Sequence, residues 1–422
     1  MTAIVTRVGA VLAAVGQRQW VMWIGFILLH GALSMLARFG SLGDVLVYYR
    51  PWSVAAVAYG NWPGIDTPWV YPVVAILPML APLVLGYTNY VLGWMLLVQL
   101  LNAAAFFLLL RQQRAIGTWV AGWWWLLFMG LLGSLSLTRL DSVVVPLSIA
   151  GLLFAVLYPT AAGILLSLAT WIKVWPVFVL GAVFLGEPRW RLLRPGVIIS
   201  IVVLVVALMF GTGLNVLSFA SSQGTRGIEV GSPLATAWLW AAFAGNPETT
   251  VFYNDGIEAF EVYGPFSVEA STLLTGVLVL AVAAVVVLIV LAKRAGAGLA
   301  ELVTVGSLAL ITANIVFNKV GSPQYMSMLI APIVVALALG QRRFALPAML
   351  AAVAAGLTQV VFPWFFDELL ATEPLLLLVI GMRNVVVALL FAWSVRALWQ
   401  LRARHAAEPE LANVPAVWPF RA

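Results

Sequence analysis

Long apolar runs recur along almost the whole chain and are separated by short polar segments. A run of about 18 or more apolar residues with few charges is typical of a transmembrane helix. The pattern predicts about twelve crossings, with both ends of the chain on the cytoplasmic side. The predicted crossings are residues 20–37, 89–110, 118–133, 143–157, 161–172, 174–185, 196–210, 273–291, 299–317, 326–339, 344–362 and 375–393. The sequence therefore predicts an all-α, polytopic transmembrane bundle, with residues 1–405 as one domain and residues 406–422 as a cytoplasmic tail.

The apolar segment at residues 71–85 resembles a further crossing, but prolines interrupt it. Counting it as a crossing would place Arg111 and Arg114 outside, whereas loops rich in lysine and arginine are normally cytoplasmic. We therefore expect a juxtamembrane or re-entrant helix within the first outer loop.

Two predicted crossings, residues 161–172 and 174–185, are short. Each would extend about 18 Å at the standard helical rise, whereas the hydrocarbon core of a bilayer is about 30 Å thick. We expect both helices to lie in a protein-lined or water-filled recess.

The composition agrees with a bilayer environment, because 63% of the residues are hydrophobic and 9% are charged, far from the usage of a soluble domain. The formal net charge of +6 comes from short basic clusters between the apolar runs. This distribution follows the positive-inside rule and argues against a nucleic-acid partner. The chain has no cysteine and two histidines, so we expect no disulfide and no zinc site. We also expect no other metal and no cofactor.

Apart from the basic clusters on the predicted cytoplasmic side, a second set of charged and amide residues falls on the predicted outer side. Charges at the membrane edge are costly and usually mark a site or pathway. These residues are Arg38, Asp44, Arg50, Arg139, Asp141, Lys173, Arg226, Glu229, Asn318, Lys319 and Gln324.

The segment after the first predicted helix places Asp44 beside Tyr48, Tyr49 and Arg50. A carboxylate at this surface is suited to general-base chemistry, because deprotonating an attacking sugar hydroxyl requires one well-held carboxylate. The alternative is a helix cap. The two phenols are candidates for binding a sugar.

Lys173 lies between the two short predicted helices, where its ammonium faces apolar surroundings. A lipid phosphate in the outer leaflet can reach a cation at that depth, although snorkelling to lipid headgroups is an equal alternative. Arg139 is a second candidate for the phosphate, and Asp141 for acceptor hydroxyls. These two residues alternatively form a structural surface pair.

The long outer loop supplies Arg226, which can clamp a phosphate bidentately, and Glu229, a candidate for binding the acceptor. We expect the acidic patch later in this loop to be ordinary solvated surface. It consists of Asp255, Glu258 and Glu261.

A dense polar string between the ninth and tenth predicted helices contains Asn318, Lys319, Gln324 and Tyr325. Its amides, ammonium and phenol are candidates for reading sugar hydroxyls or holding a phosphate. A structural turn set by the Gly-Ser-Pro sequence is the alternative.

Two further residue types have milder interpretations. His30 is expected to make an interhelical hydrogen bond. Most tryptophans fit aromatic belts at the membrane interfaces, whereas Trp52, Trp62 and Trp69 in the first outer loop can stack on sugar faces.

These motifs, in this order, resemble glycosyltransferase family 87 over about residues 15–400. The resemblance implies the GT-C fold and the activity of actinobacterial polyprenyl-phosphate-mannose-dependent α-mannosyltransferases, which build phosphatidylinositol mannosides and lipomannan; some members transfer arabinofuranose. In GT-C enzymes the aspartate just after the first helix is the usual catalytic base, so the resemblance assigns that role to Asp44. The motifs are Gly43-Asp44, Tyr48-Tyr49-Arg50, Tyr71-Pro72, Asp141, Lys173, Pro176, Arg226-Gly227, Glu229, Asn318-Lys319 and Pro323-Gln324-Tyr325.

Together these features predict an inverting glycosyltransferase on the outer face of a bacterial plasma membrane. Its expected partners are a polyprenyl phosphate mannose donor, a glycolipid or lipoglycan acceptor and the bilayer. The alternative within the class is a polyprenyl-phosphate-arabinose donor. A secondary transporter or lipid flippase also has broken helices and buried charge, but it usually shows internal repeats, and we find no convincing repeat here. A structural scaffold subunit would leave the outward charges unexplained.

Overall fold

The computed structural model describes residues 16–187, 189–221 and 226–407. The predicted tail at residues 406–422 therefore lies almost entirely outside the described residues. The described chain is nearly all-α. Its α-helices are α1 (Gln19–Leu36), α2 (Arg50–Tyr59), α3 (Ile76–Leu80), α4 (Tyr90–Ile116), α5 (Val120–Leu132), α6 (Asp141–Phe154), α7 (Pro159–Ile172), α8 (Pro176–Gly186), α9 (Trp190–Met209), α10 (Ser218–Ser221), α11 (Ala235–Phe243), α12 (Ser267–Arg294), α13 (Leu299–Val316), α14 (Ile330–Ala338), α15 (Ala345–Gln359), α16 (Phe366–Leu370) and α17 (Pro374–Ala407). Its strands are β1 (Ile228–Glu229), β2 (Thr250–Asn254) and β3 (Ala259–Tyr263).

Within the described residues, seven helices are long and apolar enough to cross a membrane, and each overlaps a predicted crossing. They are Gln19–Phe39, Tyr87–Ile116, Trp190–Met209, Ser267–Arg294, Leu299–Val316, Arg342–Trp364 and Pro374–Ala403. By the length and composition of these helices, the chain is a membrane protein. The other predicted crossings fall on shorter apolar helices: Val120–Ser136, Asp141–Phe154, Pro159–Ile172, Pro176–Gly186 and Pro323–Ala338.

The shorter helices form much of the interior of the bundle. Helix α6 packs against α4, α7 and α14, and α14 also packs against α5 and α13. Every residue of α14 is buried. By contrast, α9 and α12 turn most of their apolar surface outward, as helices in contact with lipid do. A helix surrounded by protein does not have to match the bilayer thickness by itself, which explains how short helices are accommodated.

The reversals of the chain gather at two ends of the bundle. At one end, hydrogen bonds and ion pairs join turns that are distant in sequence. They are Arg189 Nη1 to the Val156 carbonyl oxygen at 2.8 Å, the Thr304 hydroxyl to Gln341 Oε1 at 2.9 Å, and Arg343 Nη1 to Glu301 Oε1 at 3.6 Å. The intervening reversals, near residues 139, 173 and 320, meet at the other end, where Lys173 contacts both Asp141 and Gln324. These reversals therefore alternate between the two ends of the bundle.

The segment that was predicted as the first outer loop contains a broken helix in place of a further long one. Segments Val73–Ala75 and Ala81–Leu85 are 3₁₀ helices that flank α3. Proline removes a backbone donor and disrupts a continuous α-helix, which explains the interruptions. Gly93 of α4 lets this segment pack closely, because a Cβ there would lie 2.8 Å from the Pro82 backbone. The segment Val73–Leu85 belongs with the shorter apolar helices, and its placement as a juxtamembrane or re-entrant helix stays a prediction.

His30 connects two helices, as predicted. Its Nε2 lies 3.3 Å from Asn102 Nδ2 of α4, while its Nδ1 lies 2.9 Å from the Phe26 carbonyl oxygen. Both side chains are buried. The interhelical role of His30 is confirmed.

A small antiparallel sheet departs from the all-α prediction. Strand β3 lies between β1 and β2, with Ile228 opposite Val262 and Val251 also opposite Val262. Glu261 on β3 is buried and accepts a hydrogen bond from Asn254 Nδ2 at 2.8 Å. The prediction that Glu261 belongs to a solvated loop is wrong, because its side chain is buried on β3 and its carboxylate also accepts a hydrogen bond from the Gly227 N–H.

Candidate functional site

Asp44 is the first residue of a π-helical segment, Asp44–Tyr49, which leads directly into α2. Its side chain is 22% exposed. The Tyr49 hydroxyl donates to Asp44 Oδ2 at 3.3 Å, and Arg139 Nε lies 3.2 Å from the same oxygen. Among the described hydrogen bonds, Asp44 accepts none from a backbone N–H, contrary to the helix-cap interpretation. The carboxylate is thus held from one side and accessible from the other.

The two groups that hold Asp44 are themselves fixed by the surrounding backbone. Tyr49 is fully buried and accepts a hydrogen bond from the Leu140 N–H at 3.2 Å. Burial raises the pKa of Tyr49 well above its usual value, so the phenol stays protonated and donates. Arg139 Nη1 donates to the Ser41 carbonyl oxygen at 2.8 Å. Both residues therefore orient the carboxylate.

Asp141 forms a second buried cluster at the start of α6. Its carboxylate pairs with the Lys173 ammonium, and Trp175 Nε1 donates to its Oδ1 at 3.0 Å. Lys173 also donates to Gln324 Oε1 at 3.0 Å. The side chain of Asp141 is 1% exposed and that of Lys173 is 12% exposed. Snorkelling therefore does not describe Lys173, because its ammonium is turned into the protein.

The surface pair considered for Arg139 and Asp141 is absent from the structure. Arg139 instead pairs with Asp44, and Asp141 pairs with Lys173. Arg139 and Asp141 are both buried. Arg139 and Asp141, two positions apart in the sequence, therefore belong to two separate ion pairs.

Arg226 and Glu229 form a third ion pair, which anchors the loop that contains Lys319. Arg226 Nη1 lies 2.8 Å from Glu229 Oε1, and the Gly321 N–H donates to Glu229 Oε2 at 3.1 Å. The Glu229 N–H donates to the Lys319 carbonyl oxygen at 2.9 Å. Burial raises the pKa of the Glu229 carboxyl, whereas the positive charge of Arg226 acts in the opposite direction.

Two glycines allow the backbones of these loops to cross. A Cβ on Gly321 would lie 1.9 Å from the Ser232 nitrogen and 2.0 Å from the Gly231 carbonyl carbon. No side chain fits there unless the backbone moves. The crossing brings the polar string at residues 318–325 against β1, which the sequence pattern alone does not indicate.

We expect Gly321→Ala to destabilise the protein by about 3 kcal/mol or more, the upper end of overpacking effects, because the clash involves backbone atoms. The thermal unfolding midpoint of the purified protein measures this effect. Gly276→Ala is the matched control, because a Cβ at Gly276 meets nothing within 4 Å. Equal stability of the two variants would contradict the close crossing.

Asp44 lines a cavity of about 1010 Å³, which we call the large cavity. Its lining includes Trp52, Tyr71, Glu229, Phe362 and Arg383. Tyr48, Trp69, Asp255 and Glu258 also line it, whereas Trp62 does not. A volume of this size suits an organic ligand better than a single small ion. The wall of the cavity combines aromatic faces with carboxylates.

A second cavity of about 590 Å³, the side cavity, lies next to the large one. Helices α8, α12 and α13 contribute apolar or amide side chains to it, among them Phe178, Leu278 and Asn314. Lys173 and Lys319 also line it. The two cavities have five lining residues in common: Val70, Tyr71, Arg226, Ser322 and Gln324. Ligands in the two cavities would therefore lie on either side of this shared wall.

Three other predicted site residues, Tyr48, Asn318 and Tyr325, also line these cavities. Tyr48 lines the large cavity, and burial raises the pKa of its phenol. Asn318 and Tyr325 line the side cavity. Burial lowers the pKa of Lys319, and the negative charge of Glu261 opposes this effect. The structure thus gathers the predicted residues at one end of the bundle.

Sequence reasoning missed Arg383, a buried guanidinium in α17 that lines the large cavity. It lies inside a long apolar run, at residues 375–393, which we treated as a plain crossing. A charged residue within such a run is itself a signal of a functional site, and this signal was available in the sequence.

Comparison of the chain with protein-family models, with curated proteins and with solved structures gives no match.

Proposed function

We propose that this chain is a membrane glycosyltransferase that uses a polyprenyl phosphate sugar as donor, with Asp44 as the general base. One observation carries the proposal: a partly exposed carboxylate, oriented by Tyr49 and Arg139, lines a cavity with aromatic walls. This cavity adjoins a second one with apolar walls and ammonium groups.

The side cavity is the proposed donor site. Its apolar residues on α8 and α12 suit a polyprenyl chain, while Lys173 and Lys319 supply positive charge at the same depth. Arg226 lines both cavities, a position suited to the phosphate next to the reacting sugar. Arg139 was predicted to bind the donor phosphate. Because it pairs with Asp44, we propose that it orients this carboxylate and does not bind the phosphate.

The large cavity is the proposed acceptor site. Asp44 takes the proton of an acceptor hydroxyl as its oxygen attacks the anomeric carbon. The bond between that carbon and the phosphate oxygen breaks on the opposite face, so the configuration inverts and polyprenyl phosphate leaves. Nearby cations stabilise the negative charge that develops on the departing phosphate.

We further propose a GT-C architecture of about twelve crossings, with the site end facing the outside of a bacterial plasma membrane. The basic turns at the opposite end, which include Arg343, then lie in the cytoplasm. Mannose is the proposed donor sugar and a glycolipid or lipoglycan the proposed acceptor; arabinofuranose is the alternative sugar.

The test is to supply membranes that contain the chain with radiolabelled polyprenyl phosphate mannose and envelope glycolipids. We expect labelled glycolipid or lipoglycan, and linkage analysis of the product identifies the configuration. A parallel reaction with polyprenyl phosphate arabinose distinguishes the two sugars, and membranes without the chain are the control. If sealed vesicles move either intact donor across the bilayer but form no product, a flippase replaces the transferase.

A further inference from the structure

Tyr71 lies on the shared wall between the large cavity and the side cavity, and the proposed transfer chemistry gives it no role. The other polar side chains of this wall already have partners within the protein. Arg226 belongs to an ion pair. Gln324 accepts a hydrogen bond from Lys173 and lies 3.5 Å from the Ser322 hydroxyl. Tyr71 is therefore the polar group of the wall that is best placed to serve a ligand.

The ring of Tyr71 is held in place by its neighbours. It packs edge-to-face against Trp52, with 6.1 Å between the ring centroids, and against Trp69, with 5.6 Å. The 3₁₀ helix that follows, Val73–Ala75, packs against α7. The hydroxyl of a ring held in this way has a defined position before a ligand arrives, which lowers the entropic cost of a hydrogen bond to that ligand.

The hydroxyl of Tyr71 lies between the two acidic clusters of the site. The negative charges of Asp44 and Asp141 both act on it, and the Tyr49 hydroxyl is its hydrogen-bonding neighbour. Burial raises the pKa of Tyr71, and the two carboxylates raise it further. The phenol is therefore a neutral group that keeps its proton.

The proton of Tyr71 is available to a ligand. Tyr49 donates its own proton to Asp44 and accepts a hydrogen bond from the Leu140 N–H. The orientation of Asp44 therefore does not require the proton of Tyr71, which can turn from Tyr49 towards the junction of the cavities. A protonated phenol donates to anionic oxygens, and a phosphate offers several.

We infer that Tyr71 is a catalytic residue, whose hydroxyl donates a hydrogen bond to the phosphate oxygen that leaves the anomeric carbon. This inference rests on the proposed function and adds a neutral donor to the same site. The acceptor oxygen bonds to the anomeric carbon, and the acceptor proton goes to Asp44. The bond from that carbon to the phosphate oxygen breaks, and its electron pair stays on the oxygen. Tyr71 keeps its proton, and its hydrogen bond strengthens as negative charge develops on the oxygen.

Binding of two short-chain lipids tests this contact without sugar transfer. Farnesyl phosphate carries the freed oxygen of the leaving product, whereas methyl farnesyl phosphate has that oxygen capped, as in the donor. Each lipid is titrated calorimetrically into the purified full chain in nanodiscs. We expect the wild-type protein to bind farnesyl phosphate more tightly than the capped lipid.

Tyr71→Phe keeps the ring and removes the hydroxyl. We expect its affinity for farnesyl phosphate to fall about tenfold to a hundredfold, the range for a hydrogen bond to a charged group, and its affinity for the capped lipid to fall less. In the transfer assay kcat should fall and the KM for the donor should change little, because the hydrogen bond is strongest in the transition state. Tyr87→Phe is the matched control, since Tyr87 is exposed and lines neither cavity.

Unchanged affinity of Tyr71→Phe for farnesyl phosphate would overturn the inference. If that variant does not fold, fluorotyrosine is introduced at Tyr71, because it keeps the ring and hydroxyl but is a stronger donor. Tighter binding of farnesyl phosphate is then expected, and equal binding would contradict the contact.

The binding result also separates the inference from the proposed function. Loss of farnesyl phosphate affinity in Tyr71→Phe, with no sugar transfer by the wild-type protein, would remove the proposed function and leave the contact of Tyr71 with a lipid phosphate. Sugar transfer by the wild-type protein, with full farnesyl phosphate affinity in Tyr71→Phe, would do the reverse.

Discussion

Replacement of Asp44 by asparagine is expected to lower sugar transfer by about 10²–10⁴-fold, the usual contribution of a general base. The amide nearly matches the carboxylate in shape, but it cannot take the proton of the acceptor hydroxyl. Initial rates with saturating polyprenyl phosphate mannose measure the effect. The concentration dependence on the donor should change little, because the donor phosphate is assigned to the side cavity.

Asp44→Asn also leaves Arg139 without its carboxylate, so loss of activity must be separated from loss of structure. Arg139 keeps its hydrogen bond to the Ser41 carbonyl oxygen, which should preserve the local fold. Asp66→Asn is the matched control in the same predicted outer loop, because Asp66 is exposed and accepts only from the Trp62 N–H among the described residues. A folded Asp44→Asn protein with wild-type turnover would eliminate Asp44 as the base.

Replacement of Lys173 by methionine is expected to destabilise the protein by about 3–5 kcal/mol, the range for breaking one side of a buried ion pair. The reason is Asp141, which would remain buried without its cation while keeping only the Trp175 N–H donor. Titration with a denaturing detergent measures the free energy of unfolding. Arg343→Met is the comparison, because its pair with Glu301 is more exposed and should contribute only about 0–1 kcal/mol.

The double variant Asp141→Asn with Lys173→Met separates stability from donor binding. Removing both charges should recover most of the lost stability, because no uncompensated carboxylate remains. If Lys173 also holds the donor phosphate, the double variant should use the donor about tenfold to a hundredfold less efficiently. Wild-type donor dependence in this stable variant would assign the phosphate to Arg226 or Lys319 and leave Lys173 as a structural partner of Asp141.

The hydrophobic pattern was sufficient to predict most helices, because a chain in lipid must satisfy its backbone hydrogen bonds within each segment. The long apolar runs that became α1, α4, α9, α12 and α17 overlap the predicted crossings. The prolines after Tyr71 correctly indicated a broken helix. Short strands such as β2 and β3 were missed, since five residues in a polar loop give a weak alternating signal.

The sequence also determined which polar residues gather at one end, because charges are excluded from the lipid-facing parts of long helices. It could not determine their partners. Arg139 and Asp141 are two positions apart, yet one pairs with Asp44 and the other with Lys173. Those pairings depend on how α6 packs against α4 and α7. The pattern of apolar residues does not specify against which other helices a given helix packs.

Only the tertiary structure decided that the candidate site consists of two adjoining cavities and that Arg383 belongs to one of them. Arg383 lies 157 positions after Arg226 in the chain, with both side chains on the wall of the large cavity. The crossing of Gly231 and Gly321 brings their loops together. Physical proximity between such distant segments arises from side-chain packing throughout the bundle, whereas local sequence determines only whether each segment is a helix and where its charges lie.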